Sequence, residues 1–446
     1  MQNIDQIIYP RWLIPVQDID TPPHQQVLER YGVAVDKGRV LTIESRSSLS
    51  LKFHSDHITE LAEHVLMPGL INAHTHSAMT LLRGYADDLP LMEWLSQHIW
   101  PAEAKWVNSE FVKVGTDLAI AEMIMSGTTC FNDMYFFPNI TASRAELAGI
   151  RACVGMIVID FPTVWANDAD EYISKGLEVR DELRHSALVT SAFAPHAPYT
   201  VSNQPLEKLG VLAEELDCQI HMHVHETAHE IDESTARYGM RPLERLDQLG
   251  LVSPRLAAVH MTQLLPAEIT TLAERGVNVV HCPQSNLKLA SGFSPVNKLL
   301  KQGVNVAVGT DGASSNNDLD MLAETQSAAL LAKAVADDPS AMNAYQALYA
   351  STKAGAIALG LETETGSIEP GKSADMIAID LSDPASQPVF HPLSQVIYSA
   401  SRTQVSDVWI AGKRLLEDRK LTRMELSGII SAASEWGLKI EAGHTQ

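Results

Sequence analysis

The sequence has few cysteine residues, and their spacing does not suggest a disulfide framework or a cysteine-based metal site. Only four of the 446 residues are cysteines, and no two of them form a C-x-x-C pair: Cys130, Cys153, Cys218 and Cys282. All four fall in predicted strands, where a free cysteine behaves as a small buried hydrophobic residue. This pattern is typical of a reducing compartment, so we expect a cytoplasmic protein.

The chain is also poor in positive charge. It carries 33 Lys and Arg against 55 Asp and Glu, which gives a formal net charge of −22. A chain this acidic repels nucleic acid and anionic membranes, and no basic cluster argues otherwise. No window approaches a run of about 18 uncharged apolar residues, and the N-terminal segment MQNIDQIIYPRW lacks the pattern of a signal peptide. We therefore expect neither nucleic acid nor a membrane as a partner.

Short alternating segments at both ends of the chain predict a β-domain distinct from the centre. Residues 1–66 and 366–446 show apolar–polar alternation, punctuated by turn residues such as Gly366 and Gly371. We predict that these two segments pack together as a small β-sandwich domain with antiparallel strands, followed by a last helix over about 424–440. The central residues 67–365 then form a second, larger domain.

The centre alternates strands with helices. Near-continuous apolar runs predict strands that are covered on both faces, and three- and four-residue spacing predicts helices such as 111–126, 203–216 and 319–335. The predicted strands are residues 65–74, 127–135, 151–160, 188–196, 218–225, 257–262, 277–282 and 304–310. Eight such units fit an α/β fold, the (β/α)₈ TIM-type barrel. A doubly wound open sheet is the alternative, but no G-x-G-x-x-G follows the first strand.

Metal-ligand residue types stand at the ends of these predicted strands. His74 and His76 are two residues apart, so both point to the same side of an extended strand. Two imidazoles on one face suit a cation such as zinc. Later strands end in a further set of such residues: His196, His223 with Glu226, His260, and Asp311. Because the strand ends of a parallel barrel meet at one face, the set predicts a metal-dependent active site there.

Residues 225–229 also spell H-E-x-x-H, the motif of zinc metalloproteases. That motif functions on a helix, whereas the preceding residues CQIHMHV alternate as a strand. We therefore do not predict a protease. The H-x-E and P-C-x-x-C signature of cytidine deaminases is absent from the sequence as well.

Five segments, spread over the chain, match one known family. They are PGLINAHTH (68–76), HVHET (223–227), HCPQSNLKLASG (281–292), GTDGASSNN (309–317) and GSIEPGKSADMIAID (366–380). The sequence resembles the amidohydrolase superfamily, within it the branch of chlorotriazine hydrolases and methylthioadenosine/S-adenosylhomocysteine deaminases. The resemblance covers essentially the whole chain, and it implies a metal-dependent hydrolase on a barrel with a terminal β-domain.

The resemblance implies a mononuclear metal site. One divalent ion would be held by three imidazoles and one carboxylate: His74, His76, His223 and Asp311. Zn²⁺ is the first expectation, and Fe²⁺ and Mn²⁺ suit the same ligands. Binuclear members of the family carry a bridging lysine at the end of the fourth strand, where this chain has His196 and no lysine.

The resemblance also implies three catalytic roles. Glu226 lies three residues after the ligand of strand five and is the expected acid that protonates the ring nitrogen of the substrate. Asp311 is expected to accept the proton of the attacking water. His260 is expected to polarise that water or to stabilise the tetrahedral centre. His221 and His225 flank the ligand as packing groups or as partners of ligating side chains.

The implied substrate is a small purine nucleoside. Glu103, in WPAEAKW (100–106), matches the family glutamate that binds ribose hydroxyls. His196 is expected to contact the purine or the ribose, and Ser315 to lie near the far end of the ligand. The oligomeric state stays open, with a homo-oligomer as one option.

One departure from the family pattern bears on specificity. Members that accept S-adenosylhomocysteine carry arginines after the third strand, but residues 152–179 of this chain contain no arginine. An apolar wall there favours a methylthio group over a carboxylate. The resemblance therefore predicts deamination of 5′-methylthioadenosine, with S-adenosylhomocysteine and adenosine converted less well. The alternative is another amidohydrolase activity, such as a guanine- or cytosine-type deaminase or a triazine hydrolase.

Overall fold

The computed structural model describes residues 1–444. Within them, eight parallel strands follow one another in chain order around a nearly closed barrel. The strands are Leu70–Thr75, Thr128–Asp133, Arg151–Val158, Val189–Pro195, Ile220–Val224, Leu256–His260, Asn278–His281 and Asn305–Val308. The third strand is buried along its whole length, as expected for a strand covered on both faces. The predicted TIM-type barrel is confirmed.

The first and last barrel strands meet through side-chain and loop contacts. The Asn72 amide donates to the Thr310 hydroxyl (2.7 Å), and its oxygen accepts the Thr310 backbone N–H (3.0 Å). The Asp311 N–H donates to the His74 carbonyl at 3.0 Å. A Cβ atom at Gly309 would lie 2.6 Å from the His74 nitrogen, so only glycine allows this approach. The seam thus brings two predicted metal ligands together.

Helices cover the outside of the barrel and connect its strands. The longer ones in the described chain are Ser109–Met125, Pro138–Ala148, Ala169–Glu182, Asn203–Glu215, Ala228–Tyr238, Pro266–Arg275 and Met321–Ala336. Shorter ones are Leu91–Glu93, Trp100–Trp106, Pro242–Gln248, Pro283–Lys288, Val296–Lys301, Ala344–Ala350, Lys353–Ala358 and Pro392–Tyr398. The predicted helices 111–126, 203–216 and 319–335 are confirmed, with ends that differ by one or two residues. Asn108 begins the first of these because its side chain accepts two backbone N–H groups.

A second sheet joins the two ends of the chain. Its nine strands are Gln6–Leu13, Leu28–Glu29, Tyr31–Asp36, Arg39–Ser45, Ile58–Pro68, Met376–Asp380, Val405–Ile410, Lys413–Glu417 and Lys420–Leu421. Gln6–Leu13 pairs with Ile58–Pro68 in parallel, while the other pairs of this sheet are antiparallel. The expectation of a purely antiparallel sheet is therefore wrong at that one pairing, because helix Arg46–Lys52 and the segment around it return the chain to the same end.

The predicted strand 65–74 is two strands that belong to different sheets. Ile58–Pro68 lies in the nine-stranded sheet, and Leu70–Thr75 begins the barrel. Gly69 separates them, and a Cβ atom at this position would lie 2.0 Å from the Thr129 hydroxyl oxygen. A continuous apolar run conceals this change of sheet, because residues on both sides of Gly69 are fully buried.

The remaining predictions about the chain ends and cysteines can be checked directly. Helix Leu426–His444 confirms the predicted last helix and extends beyond it. All four cysteines are buried and form no disulfide within the described residues. Between residues 1 and 444, none of the helices has the length and apolar character needed to cross a membrane.

Candidate active site

The four predicted metal ligands converge at the C-terminal ends of the barrel strands. One ligand atom from each of His74, His76, His223 and Asp311 lies within 4.8 Å of all the others. The Asp311 Oδ1 atom is 3.3 Å from Nε2 of His74 and 3.2 Å from Nε2 of His76. The Nε2 atoms of His74 and His223 are 3.2 Å apart. Three nitrogen ligands and one oxygen ligand around a common centre form a donor set that zinc accepts.

Each of the three imidazoles has its Nδ1 atom engaged elsewhere. Nδ1 of His76 donates to the Met134 carbonyl (2.6 Å), and Nδ1 of His223 donates to the His196 carbonyl (2.8 Å). Nδ1 of His74 lies 2.8 Å from Nε2 of His221. With the hydrogen on Nδ1, each Nε2 atom is left with its lone pair directed at the shared centre, as ligating histidines require.

The protonation states of the three histidines are also compatible with the binding of a cation. Burial lowers the pKa of His74 to about 4 and that of His223 well below its usual value, so both rings are neutral. Two neutral Nε2 acceptors 3.2 Å apart cannot hydrogen-bond to each other, whereas both can bind one cation. At His76 burial is outweighed by contact with Asp311, which raises the pKa to about 9, and a bound cation would compete with that proton. The residues present therefore fit a divalent metal ion.

Several strand-end residues have a left-handed backbone. The φ angles of His225, His260 and Asp311 are 55°, 76° and 62°. Such conformations cost roughly 1–3 kcal/mol for a non-glycine residue and concentrate at functional sites. At Asp311 the turn lets Oδ1 accept the Gly312 N–H at 2.7 Å, and the Ser285 hydroxyl donates to Oδ2 at 2.6 Å. Both carboxylate oxygens are thereby oriented.

Glu226 and His260 lie beside the candidate metal centre. The Glu226 Oε2 atom is 3.8 Å from Nε2 of His260. Nδ1 of His260 donates to the Asn286 side-chain oxygen at 2.9 Å, which turns Nε2 towards the site. Burial raises the pKa of Glu226, so its carboxyl group holds a proton at a higher pH than an exposed glutamate does. The pair combines a proton donor with a polar ring.

A single cavity contains the predicted catalytic and substrate-binding residues. Its volume is about 480 Å³, and its lining includes Glu103, His196, Glu226, Ser315 and the exposed edge of the metal centre. The Tyr135 hydroxyl donates to Glu103 Oε1 at 2.8 Å. Burial raises the pKa of Glu103 to about 7, and the hydrogen bond from Tyr135 opposes that rise. Glu103 is thus a cavity residue and not an exposed glutamate at a helix start.

His196 and Ser315 lie at different parts of this lining. His196 follows the fourth barrel strand, and its ring centroid lies 4.9 Å from that of His223. Its Nδ1 atom is 3.1 Å from the Thr200 hydroxyl oxygen, which leaves Nε2 for the cavity. The Ser315 hydroxyl donates to the Gly312 carbonyl at 3.0 Å.

Much of the remaining cavity lining is apolar. It includes residues from the segment after the first strand and from the loop after the third: Leu91, Trp94, Leu95, Trp100, Phe161 and Val164. Phe161 packs edge-on against Trp100, with ring centroids 6.1 Å apart. The lining drawn from the described chain contains neither lysine nor arginine. This wall offers no cation to a carboxylate ligand.

Sequence reasoning missed three residues that contact the site, whereas it had named His221 and His225 as neighbours of the ligand. Tyr135, Ser285 and Asn286 hold Glu103, Asp311 and His260, as described above. The ring of His221 contacts His74, and Nε2 of His225 accepts the Leu243 N–H at 3.1 Å. Only the two histidines carried a signal, because they flank His223 in HMHVH.

The H-E-x-x-H segment does not form a protease motif. Helix Ala228–Tyr238 begins after its first three residues, and His229 is exposed on that helix. His225 and His229 are therefore not on one helical face. Within the described chain, His74, His76, His223 and Asp311 form a group that could hold one metal ion. The fourth strand ends without a lysine.

Comparison with known proteins agrees with this geometry. The chain is 48% identical to the 5-methylthioadenosine/S-adenosylhomocysteine deaminase of Teredinibacter turnerae, over 99% of this chain and 98% of the relative. It superposes with a TM-score of 0.96 on an adenosine deaminase from Xanthomonas campestris with bound zinc, at 51% identity and 99% coverage of both chains. Atrazine chlorohydrolase from Arthrobacter aurescens, complexed with zinc, shares the fold at 21% identity, with a TM-score of 0.88 over 97% of this chain and 100% of that one.

The family assignment rests on most of the chain. The model of the amidohydrolase family matches residues 65–415, from the last residues of strand Ile58–Pro68 to strand Lys413–Glu417. This range contains the barrel, every residue of the candidate site and part of the nine-stranded sheet. The protein is a member of the amidohydrolase family.

Proposed function

We propose that this protein is a metal-dependent hydrolytic deaminase of adenosine-type nucleosides, with 5′-methylthioadenosine as the preferred substrate. The observation that carries the proposal is the position of Glu226, a buried carboxyl beside His260 and the metal ligands, in the same cavity as Glu103. One end of the cavity can therefore perform hydrolysis while another binds a ribose. The names of the relatives at 48% and 51% identity support the same activity.

The reaction replaces the C6 amino group of the purine by oxygen. Water adds to C6, the C6–N bond breaks, and ammonia leaves with the inosine-type product. Glu226 gives a proton to the ring nitrogen beside C6, so that negative charge does not build up there. Asp311 accepts a proton from water and passes it to the amino group, which leaves as ammonia, while Glu226 regains its proton from the new hydroxyl at C6 as the carbonyl forms. The orientation of Asp311 is set by Ser285. Nε2 of His260 faces the same space and stabilises charge on the oxygen that adds.

The metal ion is proposed to be a single Zn²⁺, with Fe²⁺ and Mn²⁺ as alternatives for the same donor set. It would be held by four side chains: His74, His76, His223 and Asp311. When bound, such an ion supplies Lewis acidity and lowers the pKa of water to about 7.

The ribose is proposed to lie against Glu103. A carboxylate can accept both vicinal hydroxyls of a ribose, and the Tyr135 hydroxyl holds Oε1 of Glu103 in place. His196 lines the same cavity beside His223 and is proposed to contact the purine or the ribose. Ser315 also lines the cavity and is proposed to lie near the far end of the ligand.

The preference for a methylthio group follows from the apolar wall. Phe161 and Val164 lie in the loop after the third barrel strand, where the cavity contains no cation within the described chain. Burying a carboxylate without a partner is costly, whereas burying a methylthio group is favourable. S-adenosylhomocysteine and adenosine should therefore react less well.

We also propose the domain organisation predicted from the sequence. Residues 1–66 and 366–446 would form a β-sandwich domain, and residues 67–365 the barrel. In support, the nine-stranded sheet encloses a core of its own, in which Leu13, Val33 and Leu66 from the first segment meet Met376 and Trp409 from the second.

We propose that the protein is located in the cytoplasm. Its proposed partner is a small-molecule substrate, and it is proposed to bind neither nucleic acid nor a membrane. The four free buried cysteines suit a reducing compartment. The net charge of −22 disfavours binding to polyanions. The number of subunits is left open, and a homo-oligomer is compatible with the proposal.

A deaminase assay tests the function directly. Ammonia release and the ultraviolet change from adenine to hypoxanthine are followed for five compounds: methylthioadenosine, S-adenosylhomocysteine, adenosine, guanine and cytosine. We expect the highest kcat/KM for methylthioadenosine, loss of activity on chelation, and recovery with Zn²⁺. Activity confined to the free bases guanine or cytosine would overturn the ribose role of Glu103 and leave the metal site intact. No activity in metal-loaded protein on any of these compounds would refute the proposed function.

A further inference from the structure

Glu230 is a buried carboxyl group that the proposed reaction does not use. It lies in the first turn of helix Ala228–Tyr238, and only 4% of its surface is exposed. Its Oε1 atom accepts the backbone N–H of His225 at 2.9 Å, and its Oε2 atom accepts the N–H of Glu226 at 2.7 Å. Both carboxylate oxygens therefore hold the turn that carries Glu226.

This contact is not an ordinary helix cap. The helix is already capped by the Thr227 hydroxyl, which accepts the Glu230 N–H at 3.4 Å. In a capping box, a glutamate at this position would reach back to the N–H of the cap residue itself. The side chain of Glu230 reaches past Thr227 to the two preceding residues, so its bonds act on the segment between strand and helix.

That segment has a backbone shape that presents two consecutive N–H groups to one acceptor. The fifth strand ends at Val224, and His225 turns into the left-handed region with φ 55°. In such turns, consecutive N–H groups point into one concave space, which binds a negative charge. Both oxygens of the Glu230 carboxyl group occupy this space, so they stabilise a conformation that a histidine otherwise adopts at a cost.

The Glu226 backbone is held from the opposite side as well. The Thr262 hydroxyl, from the loop after the sixth strand, donates to the Glu226 carbonyl at 2.7 Å. Glu226 thus has its N–H fixed by Glu230 and its C=O fixed by Thr262. With both ends of the residue fixed, its carboxyl group is held beside His260.

We propose that Glu230 is a positioning residue, which sets the location of the Glu226 carboxyl by binding the His225 and Glu226 N–H groups. The proposal rests on the proposed function, in which Glu226 transfers the proton. Loss of the contact lets the turn relax, and the carboxyl moves from the ring nitrogen that it must reach. Proton transfer depends steeply on this geometry, whereas ribose binding at Glu103 does not.

The test is Glu230→Gln in the metal-loaded enzyme. The amide keeps one acceptor but presents an NH₂ group to a backbone N–H, so one of the two bonds is lost. We expect kcat for methylthioadenosine to fall about 10- to 100-fold, with KM and bound zinc unchanged. Asp232→Asn is the matched control, because Asp232 is exposed on the same helix, and it should keep the wild-type kcat.

A second variant separates positioning from folding. Glu230→Asp keeps the carboxyl group, but its side chain is shorter and reaches one N–H group instead of two, so kcat should lie between those of the wild type and Glu230→Gln. The thermal unfolding temperature is measured for each variant. If Glu230→Gln does not fold, the aspartate variant decides: an unchanged kcat in that folded protein overturns the proposal.

A double-variant cycle with Glu226→Gln tests whether Glu230 acts through Glu226. In the Glu226→Gln background, Glu230→Gln should cause no further loss of the residual kcat, because the group that it positions is gone. Losses that simply multiply would contradict the proposal. An inactive wild type that binds zinc would instead refute the proposed function, so the two failures are distinguishable.

Discussion

Nδ1 of His74 lies 2.8 Å from Nε2 of His221, and both rings are buried on the inside of the barrel. His221 thus accepts a hydrogen bond from a predicted metal ligand. Burial lowers the pKa of His221 well below its usual value, so the ring stays neutral and keeps an acceptor. This bond fixes which nitrogen of His74 faces the metal centre.

Removing this acceptor should weaken metal binding. In His221→Phe, a ring fills the space but cannot accept from Nδ1 of His74, which leaves a buried donor without a partner. We expect zinc affinity to fall about 10- to 100-fold, measured by competition with a chelator. His229→Phe is the control, because His229 is exposed and should retain zinc as the wild type does. Equal retention by both variants would show that the His74–His221 contact does not support the ligand.

The role of Glu226 as proton donor gives a second prediction. Glu226→Gln keeps the shape of the side chain but removes the transferable proton, so kcat should fall about 10²- to 10⁴-fold. Zinc content, measured by elemental analysis, should not change, because Glu226 is not in the ligand set. A variant that keeps most of its kcat would exclude Glu226 as the acid.

The convergence of the four candidate metal ligands could be predicted because the sequence signals these residues locally. His74 lies in a buried strand and His76 comes directly after it, and each of the other candidates stands in or after an apolar run. Parallel strands that end at one face then bring them together. The change of sheet at Gly69 could not be predicted, since the residues on both sides are equally apolar and the change depends on contact with Thr129.

The contacts that hold the site have no such local signal. His221 and His74 are 147 residues apart, and Tyr135 is 32 residues from Glu103. Each pair is defined only by the three-dimensional arrangement: the HMHVH pattern singles out His221 but not its partner, and Tyr135 carries no signal at all. Glu230 could pass for a common first-turn glutamate until its contacts with the preceding turn are known.

The ribose role of Glu103 predicts a pH dependence. Burial raises its pKa to about 7, so the group is ionised above that pH and protonated below it. Only the ionised carboxylate accepts two hydroxyl hydrogens. The kcat/KM for methylthioadenosine should therefore fall as the pH decreases through about 7, mainly through KM.

Glu103→Gln serves as the comparison for this profile. It should lower kcat/KM about 10- to 100-fold at high pH, because a hydrogen bond to a charged group is worth roughly 1.5–3 kcal/mol. The dependence of KM on pH near 7 should be absent in this variant. An unchanged dependence would assign the titration to another group. Tyr135→Phe should produce a smaller loss, since it removes one donor and leaves the carboxylate.

The apolar wall predicts that specificity can be shifted by one substitution. Val164 lines the cavity and is 39% exposed, so a longer side chain has room there. In Val164→Arg, the guanidinium can pair with the carboxylate of S-adenosylhomocysteine, and the ratio of its kcat/KM to that of methylthioadenosine should rise about tenfold, which corresponds to 1.4 kcal/mol. Val164→Gln, of similar length but uncharged, should leave the ratio nearly unchanged. If the two variants shift the ratio equally, added length and not charge governs the choice, and the missing cation does not explain the preference.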